Sequence, residues 1–296
     1  MSINVIVFGS NGMLGRYVCK YLKSKQTYNV IKITKENIDL SKSAEVRLFI
    51  STLNQTYEPD AIVNCAGIIK HRPNISMQQY IQVNVFFVSE LSIHCIDHGI
   101  PLYHITTDCV YSGSLESGKS YIETDPHDYP IDDNYAFSKS ISDSVKCSII
   151  RTSIIGEEKR NKLSLIEWIK SKKNKQVVGY TNHLWNGMTC LQLAKILHLF
   201  IENQITWVGV RHLFSQSVTK HTICKIVNEI YSLNIDVKEG SSSTPVNRTL
   251  GTIAHHSISS DDHIYIQINE LMYLHIPPIR DQLEEQFQLF PITSSL

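Results

Sequence analysis

The sequence has no surplus of charge: across 296 residues, 28 Lys and Arg balance 28 Asp and Glu. Nucleic acid and anionic membrane surfaces select for a basic excess, so neither is expected as a partner. A long hydrophobic run is also missing, and nothing approaches the roughly 18 apolar residues of a membrane helix. The seven cysteines (19, 65, 95, 109, 147, 190 and 224) are odd in number, scattered, and contain no Cys-x-x-Cys pair. That argues against a disulfide framework and a zinc cluster, and for a reducing compartment; no metal is expected. MSINVIVFGS runs straight into a strand without a basic region or apolar leader, so the expectation is a cytoplasmic protein. There is no internal repeat and no low-complexity stretch long enough to form a tail.

What is present has the rhythm of alternating strands and helices. The length suits one large domain or two intimately joined ones. Ile3–Phe8 is an apolar, β-branched run of the kind buried on both faces of a parallel sheet. Gly9-Ser-Asn-Gly12-Met-Leu-Gly15-Arg16 follows at once, and then a helix with Leu14, Val18 and Leu22 on one side. Three glycines between strand and helix let backbone amides approach a pyrophosphate at a helix N-terminus. Gly9, Asn11, Gly12, Met13, Leu14 and Gly15 are therefore candidate dinucleotide contacts, although the spacing is not the literal G-x-G-x-x-G. The second strand, Val30–Ile33, ends in Lys32-Ile-Thr34-Lys35 rather than in the acidic residue that would hold the ribose hydroxyls of NAD. Lys35 and Arg16 suit a 2′-phosphate, which favours NADPH over NADH, with Glu36 close by as the contrary sign. Asp39, followed by Leu40, is a candidate for the adenine edge or for the N-cap of the next helix.

A third strand, Ala61–Cys65, leads into small residues, Cys65, Ala66 and Gly67, against which a ribose could lie. Ile81–Cys95 has helical spacing with Asn84 inside. Pro101–Ile105 is a fourth strand, with Thr106 and Thr107 at its carboxyl end, followed by Asp108 and Cys109. Ligands of a doubly wound sheet bind beyond the carboxyl ends of its strands, where Gly9, Gly67 and Thr107 all fall. Tyr135 and Lys139 stand four apart on an expected helix and so share one face, ~5–6 Å apart at Cβ. A phenol titrates near ~10, and an opposite charge within a few ångströms lowers an acid by ~1–3 units. Lys139, helped by an oxidised nicotinamide, is expected to bring Tyr135 into the range of a proton donor, with Thr107 giving a second hydrogen bond to the same substrate oxygen.

Ser148–Thr152 is a further strand, after which the rhythm loosens. Leu163–Lys170, Leu191–Ile201 and Thr222–Leu233 read as helices, and 179–189 and 239–250 as loops. Such loops line clefts, which makes His183, Trp185, Asn186 and Arg248 candidate substrate contacts. The expected organisation is a Rossmann-type domain over 1–155, rejoined by roughly 182–215, with 156–181 and 216–296 forming a smaller, discontinuous substrate domain.

Taken together, the G-x-x-G-x-x-G turn, Thr107 and Tyr135-x-x-x-Lys139 resemble the extended short-chain dehydrogenase/reductase superfamily. Within it, Thr106-Thr107-Asp108-Cys109-Val110-Tyr111, Ile150–Ser153 and Trp185–Thr189 look like the dTDP-4-dehydrorhamnose reductase branch. The likeness covers nearly the whole chain and is diffuse beyond about residue 200. It implies a doubly wound α/β fold holding NADPH and a nucleotide-diphosphate sugar, and reduction of a 4-keto-6-deoxyhexose at C4. Cys109 replaces the Tyr of that branch. GDP-fucose synthase and the plant-type UDP-rhamnose synthases, which epimerise before reducing, are similar in having Cys there. This implies an acid–base role for Cys109, its thiol lowered by nearby cations, or simple packing. By position Lys162 is its best partner, with His183 next. Alternatives are a 4,6-dehydratase or 4-epimerase, disfavoured because Asp108-Cys109 stands where dehydratases carry Asp-Glu, and a non-catalytic NADP-binding regulatory subunit. A homodimer is the expectation for assembly, being the commonest soluble oligomer.

Overall fold

The computed structural model describes residues 2–70, 72–160, 162–253 and 276–290. β1 (Ile3–Phe8) is buried from Val5 onward. It turns into α1 (Met13–Lys23), whose Leu14, Val18 and Leu22 lie on the buried side. β2 (Tyr28–Ile33), α2 (Ser43–Ser51), α3 (Leu53–Tyr57) and β3 (Ala61–Asn64) follow. The expected helix over Ile81–Cys95 is a composite. α4 (Met77–Tyr80) passes through a π-helical stretch, Ile81–Phe86, into α5 (Phe87–Asp97). Such π segments are often found at functional sites, and this one carries Asn84. β4 (Leu102–Thr107), α6 (Asn134–Ser142) and β5 (Ser148–Thr152) complete this run.

The remaining elements are β6 (Ile154–Ile155), α7 (Leu165–Lys170), β7 (Gln176–Tyr180), β8 (His183–Trp185) and β9 (Met188–Thr189). Then come α8 (Cys190–Glu202), β10 (Gly209–His212), β11 (Val218–Thr219) and α9 (Lys220–Ile230). β12 (Asp236–Gly240), β13 (Val246–Asn247) and α10 (Ile279–Leu289) close the described chain.

The main sheet has six strands in the order β10-β5-β4-β3-β1-β2, all parallel. Chain order reverses between β1 and β3, and in doubly wound sheets a ligand crevice opens at that switch. α8 packs on α1 over one face, where Val5, Val7, Leu193 and Leu197 share a core. α2 and α5 cover the other, with Ile6, Phe8, Ile62 and Leu91.

A second core gathers Ile166, Ile169, Val177, Trp185, Ile223, Val227 and Leu283 around α9. Here the structure departs from the expected loops. The stretches 179–189 and 239–250 contribute β8, β9 and β13 and the ends of β7 and β12. β7 pairs with β12, and β8 with β11 and β13. Their partners lie far away in sequence, so the local Gly, Asn and Ser composition hid them. The stretch 182–215, expected to rejoin the first domain, divides: α8 and β10 return to it, whereas β8 stays with the second core. Parts of the expected 216–296 segment, 254–275 and 291–296, lie outside the described residues.

Candidate active site

The switch-point crevice is shaped by main chain. Gly9 adopts φ +69°, and a Cβ there would sit 2.7 Å from the Ala66 amide nitrogen, so the turns after β1 and β3 touch. Gly15 is tighter still, since its Cβ would fall 2.3 Å from the Gly9 carbonyl oxygen. The Gly12 amide closes the turn onto that same carbonyl at 2.8 Å. Gly12 is the N-cap of α1, with no side-chain cap and no acidic residue in the first turn. The first-turn amides that follow Gly12, together with the helix dipole, suit an anion. Asn11 and Gly12 are exposed there, Met13 is half-buried and Leu14 buried.

The two cations expected at the 2′-phosphate part company. Lys35 is exposed just beyond β2. Arg16 instead donates from Nη2 to the Glu157 carbonyl at 3.2 Å and lies over the Tyr17 ring. Asp39 caps a turn rather than a helix: its carboxylate accepts from the amide and hydroxyl of Ser41, which holds its pKa down. Leu40 packs beside it between two core clusters.

On the other side of the switch, Asn84 is buried. Its Oδ1 accepts from the Ile68 amide at 2.8 Å, and its Nδ2 donates to the Ile68 carbonyl and to Ser138 Oγ. This ties the π-helical stretch to the Cys65–Gly67 turn and to α6. A Cβ at Gly67 would meet Asn84 Oδ1 and Lys139 Nζ, each at 3.3 Å.

α6 starts at Asp133, whose carboxylate accepts from the Ala136 amide at 3.0 Å and pairs with Lys70. From that start Tyr135 and Lys139 face β4. Thr107, the last residue of β4, hydrogen-bonds Tyr135 and accepts at Oγ1 from the Cys109 amide at 3.1 Å. Lys139 is buried, with Nζ donating to the Ile105 carbonyl at 3.4 Å, and burial lowers its pKa to about 8. The Tyr135 phenol does not move down as expected. Burial, followed by the neighbouring Cys109, pushes it above its ordinary range against the Thr107 hydrogen bond. Cys109 also moves against expectation. Burial and then Asp108 push it up to about 11, outweighing Thr107, Arg248 and Lys70. At neutral pH both groups hold their protons.

Asp108 is buried, and its carboxyl is raised by burial against Arg248 and Lys220 and against hydrogen bonds from Thr107 and Ser153. Arg248 donates to the carbonyls of Tyr111 and Ser112 at 2.8 and 3.1 Å, which sets its guanidinium near Asp108 and Cys109. The other expected substrate residues are placed differently. Asn186 uses both ends of its amide on the Leu250 backbone. Trp185 is buried in the second core and donates from Nε1 to Ser153 Oγ at 2.8 Å. The His183 ring lies 4.6 Å from that of Tyr180. Lys162 is exposed, with φ +52°, in the loop before α7, and no contact links it to Cys109. The sequence reading missed Lys220, Lys70 and Ser153. Thr219, an N-cap type three residues ahead of the expected helix start at Thr222, was the one signal near Lys220. Among the described residues no three His, Cys, Asp or Glu side chains gather as a metal site, and no helix is long and apolar enough to cross a membrane.

Residues 3–242 match the family model described as RmlD substrate binding domain. A dTDP-4-dehydrorhamnose reductase of Aggregatibacter actinomycetemcomitans is 28% identical over 222 residues, 70% of this chain and 72% of that protein. A dTDP-4-keto-6-deoxy-D-glucose reductase of Streptomyces niveus is 30% identical over 120 residues, 40% of this chain and 39% of that protein. The crystal structure of dTDP-4-dehydrorhamnose reductase from Bacillus anthracis in complex with NADP superposes with a TM-score of 0.74 at 17% identity, covering 97% of this chain and 99% of that one.

Proposed function

We propose that this chain, which belongs to the RmlD substrate binding domain family, is an NADPH-dependent 4-reductase of a dTDP- or UDP-linked 4-keto-6-deoxyhexose. The observation that carries this reading is the cluster of Thr107, Tyr135 and Lys139 beside the switch-point crevice. The uncapped start of α1 and the Gly9–Ala66 approach fit a pyrophosphate, and exposed Lys35 fits a 2′-phosphate. When bound, NADPH supplies the hydride for C4. Lys139, next to Gly67, is placed to hold the ribose beside it. Thr107 polarises the C4 carbonyl, and Tyr135 gives its proton to the oxygen. A phenol kept protonated by burial is in the state a donor needs.

Cys109 supports a finer reading, inversion at C3 or at C3 and C5 before reduction. Its protonated thiol adjoins Tyr135, so it borders the ring carbons that the C4 ketone acidifies.

The test is NADPH oxidation with dTDP-4-dehydrorhamnose and with dTDP-4-keto-6-deoxyglucose. Oxidation with at least one is expected, and Tyr135→Phe should slow it by ~10²–10⁴-fold. A Tyr135→Phe protein that keeps its rate would overturn the mechanism. No oxidation with either sugar, nor with their UDP-linked counterparts, would overturn the reductase reading.

A further inference from the structure

Lys220 opens α9, with Asp108 and Cys109 within its electrostatic reach. Cys109 lies in the short 3₁₀ turn Asp108–Val110 after β4 of the main sheet. α9 packs against β7, β8, β12 and α10 of the second core. Thr219 fixes where the helix begins, its hydroxyl accepting from the Thr222 amide at 3.1 Å. The half-buried Lys220 side chain then lies over Trp185, with Nζ 5.4 Å from the ring centroid. Among the described residues, that nitrogen has neither an ion pair nor a hydrogen bond. The charged and titratable groups that reach it are Asp108, Cys109, Cys224 and Arg248.

A lysine this close to a buried carboxylate would ordinarily be its counter-ion. Asp108, however, already takes hydrogen bonds from Thr107 and Ser153 and faces Arg248, and Lys220 forms no ion pair with it. The Trp185 face holds the amine within electrostatic reach of Cys109 with its own hydrogen-bonding capacity unspent. With a C4 carbonyl at Thr107 and Tyr135, a neighbouring ring carbon would lie between the two walls.

We propose that Lys220 is the proton-accepting partner of Cys109 in inverting a ring carbon adjacent to the 4-keto group, an inference that rests on the epimerase–reductase reading above. The neutral amine of Lys220 takes the proton from that carbon. The C–H electron pair moves into an enolate whose oxygen, at C4, is hydrogen-bonded by Thr107 and Tyr135. The carbon then takes a proton on its opposite face from the Cys109 thiol, and the ketone re-forms. Lys220 is left as the ammonium and Cys109 as the thiolate, and a proton passed through solvent from one to the other resets the pair. Nothing is oxidised or reduced in this step. Burial favours these starting states, lowering the Lys220 pKa and keeping the thiol protonated.

The experiment incubates dTDP-4-keto-6-deoxyglucose with enzyme in deuterium oxide and follows deuterium at C3 and C5 by NMR. NADPH oxidation with dTDP-4-dehydrorhamnose is followed in parallel. Lys220→Arg keeps the cation, so burial and charge balance are largely retained, yet it does not lose its proton. Exchange should fall by ~10²-fold or more, well beyond any loss in NADPH oxidation, and Cys109→Ser should show the same bias. Wild-type exchange should climb with rising pH as the amine, its pKa lowered by burial, loses its proton, a readout that does not depend on the variant folding. Exchange by Lys220→Arg at the wild-type rate, or a flat wild-type profile, would overturn the role of Lys220 alone. NADPH oxidation by the wild type with no ring deuterium would overturn the epimerase reading and Lys220 with it, leaving the reductase.

Discussion

On the sheet side the cleft is shaped by main chain. Two turns meet at Gly9 and Ala66, Gly15 lets α1 close on the Gly9 carbonyl, and the helix presents bare amides. On the opposite side the surface is made of long side chains held by other side chains. Arg248 is braced on the Tyr111 and Ser112 carbonyls, and Lys220 is laid over a Trp185 that is itself tied to Ser153. A backbone-built crevice offers amide geometry and tolerates little change of shape, which suits a pyrophosphate of constant form. A side-chain wall changes its chemistry with a single substitution, which suits the part of a ligand that varies between relatives. Between the two lies a buried seam. Arg151 donates from Nη1 to the Tyr111 hydroxyl and from Nη2 to Asp143, and contacts His127 and His212.

The largest structural effect is expected at that seam. Arg151→Leu removes the partner of a buried carboxylate, and breaking such a pair costs ~3–5 kcal/mol. Denaturant unfolding checks it; a loss below ~1 kcal/mol would mean that the two walls do not depend on the seam. Gly15→Ala tests the backbone wall. With the added methyl 2.3 Å from a carbonyl oxygen, overpacking should cost ~1–3 kcal/mol and weaken NADPH binding in a fluorescence titration by more than tenfold. Wild-type affinity would show that the turn has slack. The smallest effect belongs to the other wall. Thr219→Ala deletes the cap of α9 for ~1 kcal/mol, a shift to be read from thermal melting. Because it also loosens the residue that carries Lys220, sugar turnover should suffer more than NADPH affinity. Equal loss of both would erase the distinction between the walls.

The backbone wall was readable from the sequence because its information is local. A strand, three glycines and a helix lie within the first two dozen residues, and Tyr135 and Lys139 are one helical turn apart. The direction of their pKa shifts was not readable, because burial decides it and burial belongs to the folded chain. The side-chain wall was largely hidden for a related reason. Lys220 comes within electrostatic reach of Cys109 only through the packing of α9 on strands whose partners lie some 60 residues apart in sequence. Position along the chain pointed to Lys162, which the fold leaves on the surface. Asn186 and Trp185 sat in a recognisable segment, but their polar atoms are spent on Leu250 and Ser153.

The last described helix carries a consequence for timing. Gln282 and Gln286 of α10 accept hydrogen bonds from the amides of Thr189 and Leu191, at the start of α8, across 93 and 95 residues of chain. Phe290 packs against Tyr17 of α1, and Lys195 pairs with Glu285. At ~5–20 residues per second, a ribosome delivers these acceptors roughly 5–20 s after α8. Until then the two amides have only water, and the α1–α8 face lacks its cover. A nascent chain therefore spends those seconds with its nucleotide half assembled but unsealed, and the beginning of the molecule becomes complete only once α10 has been made.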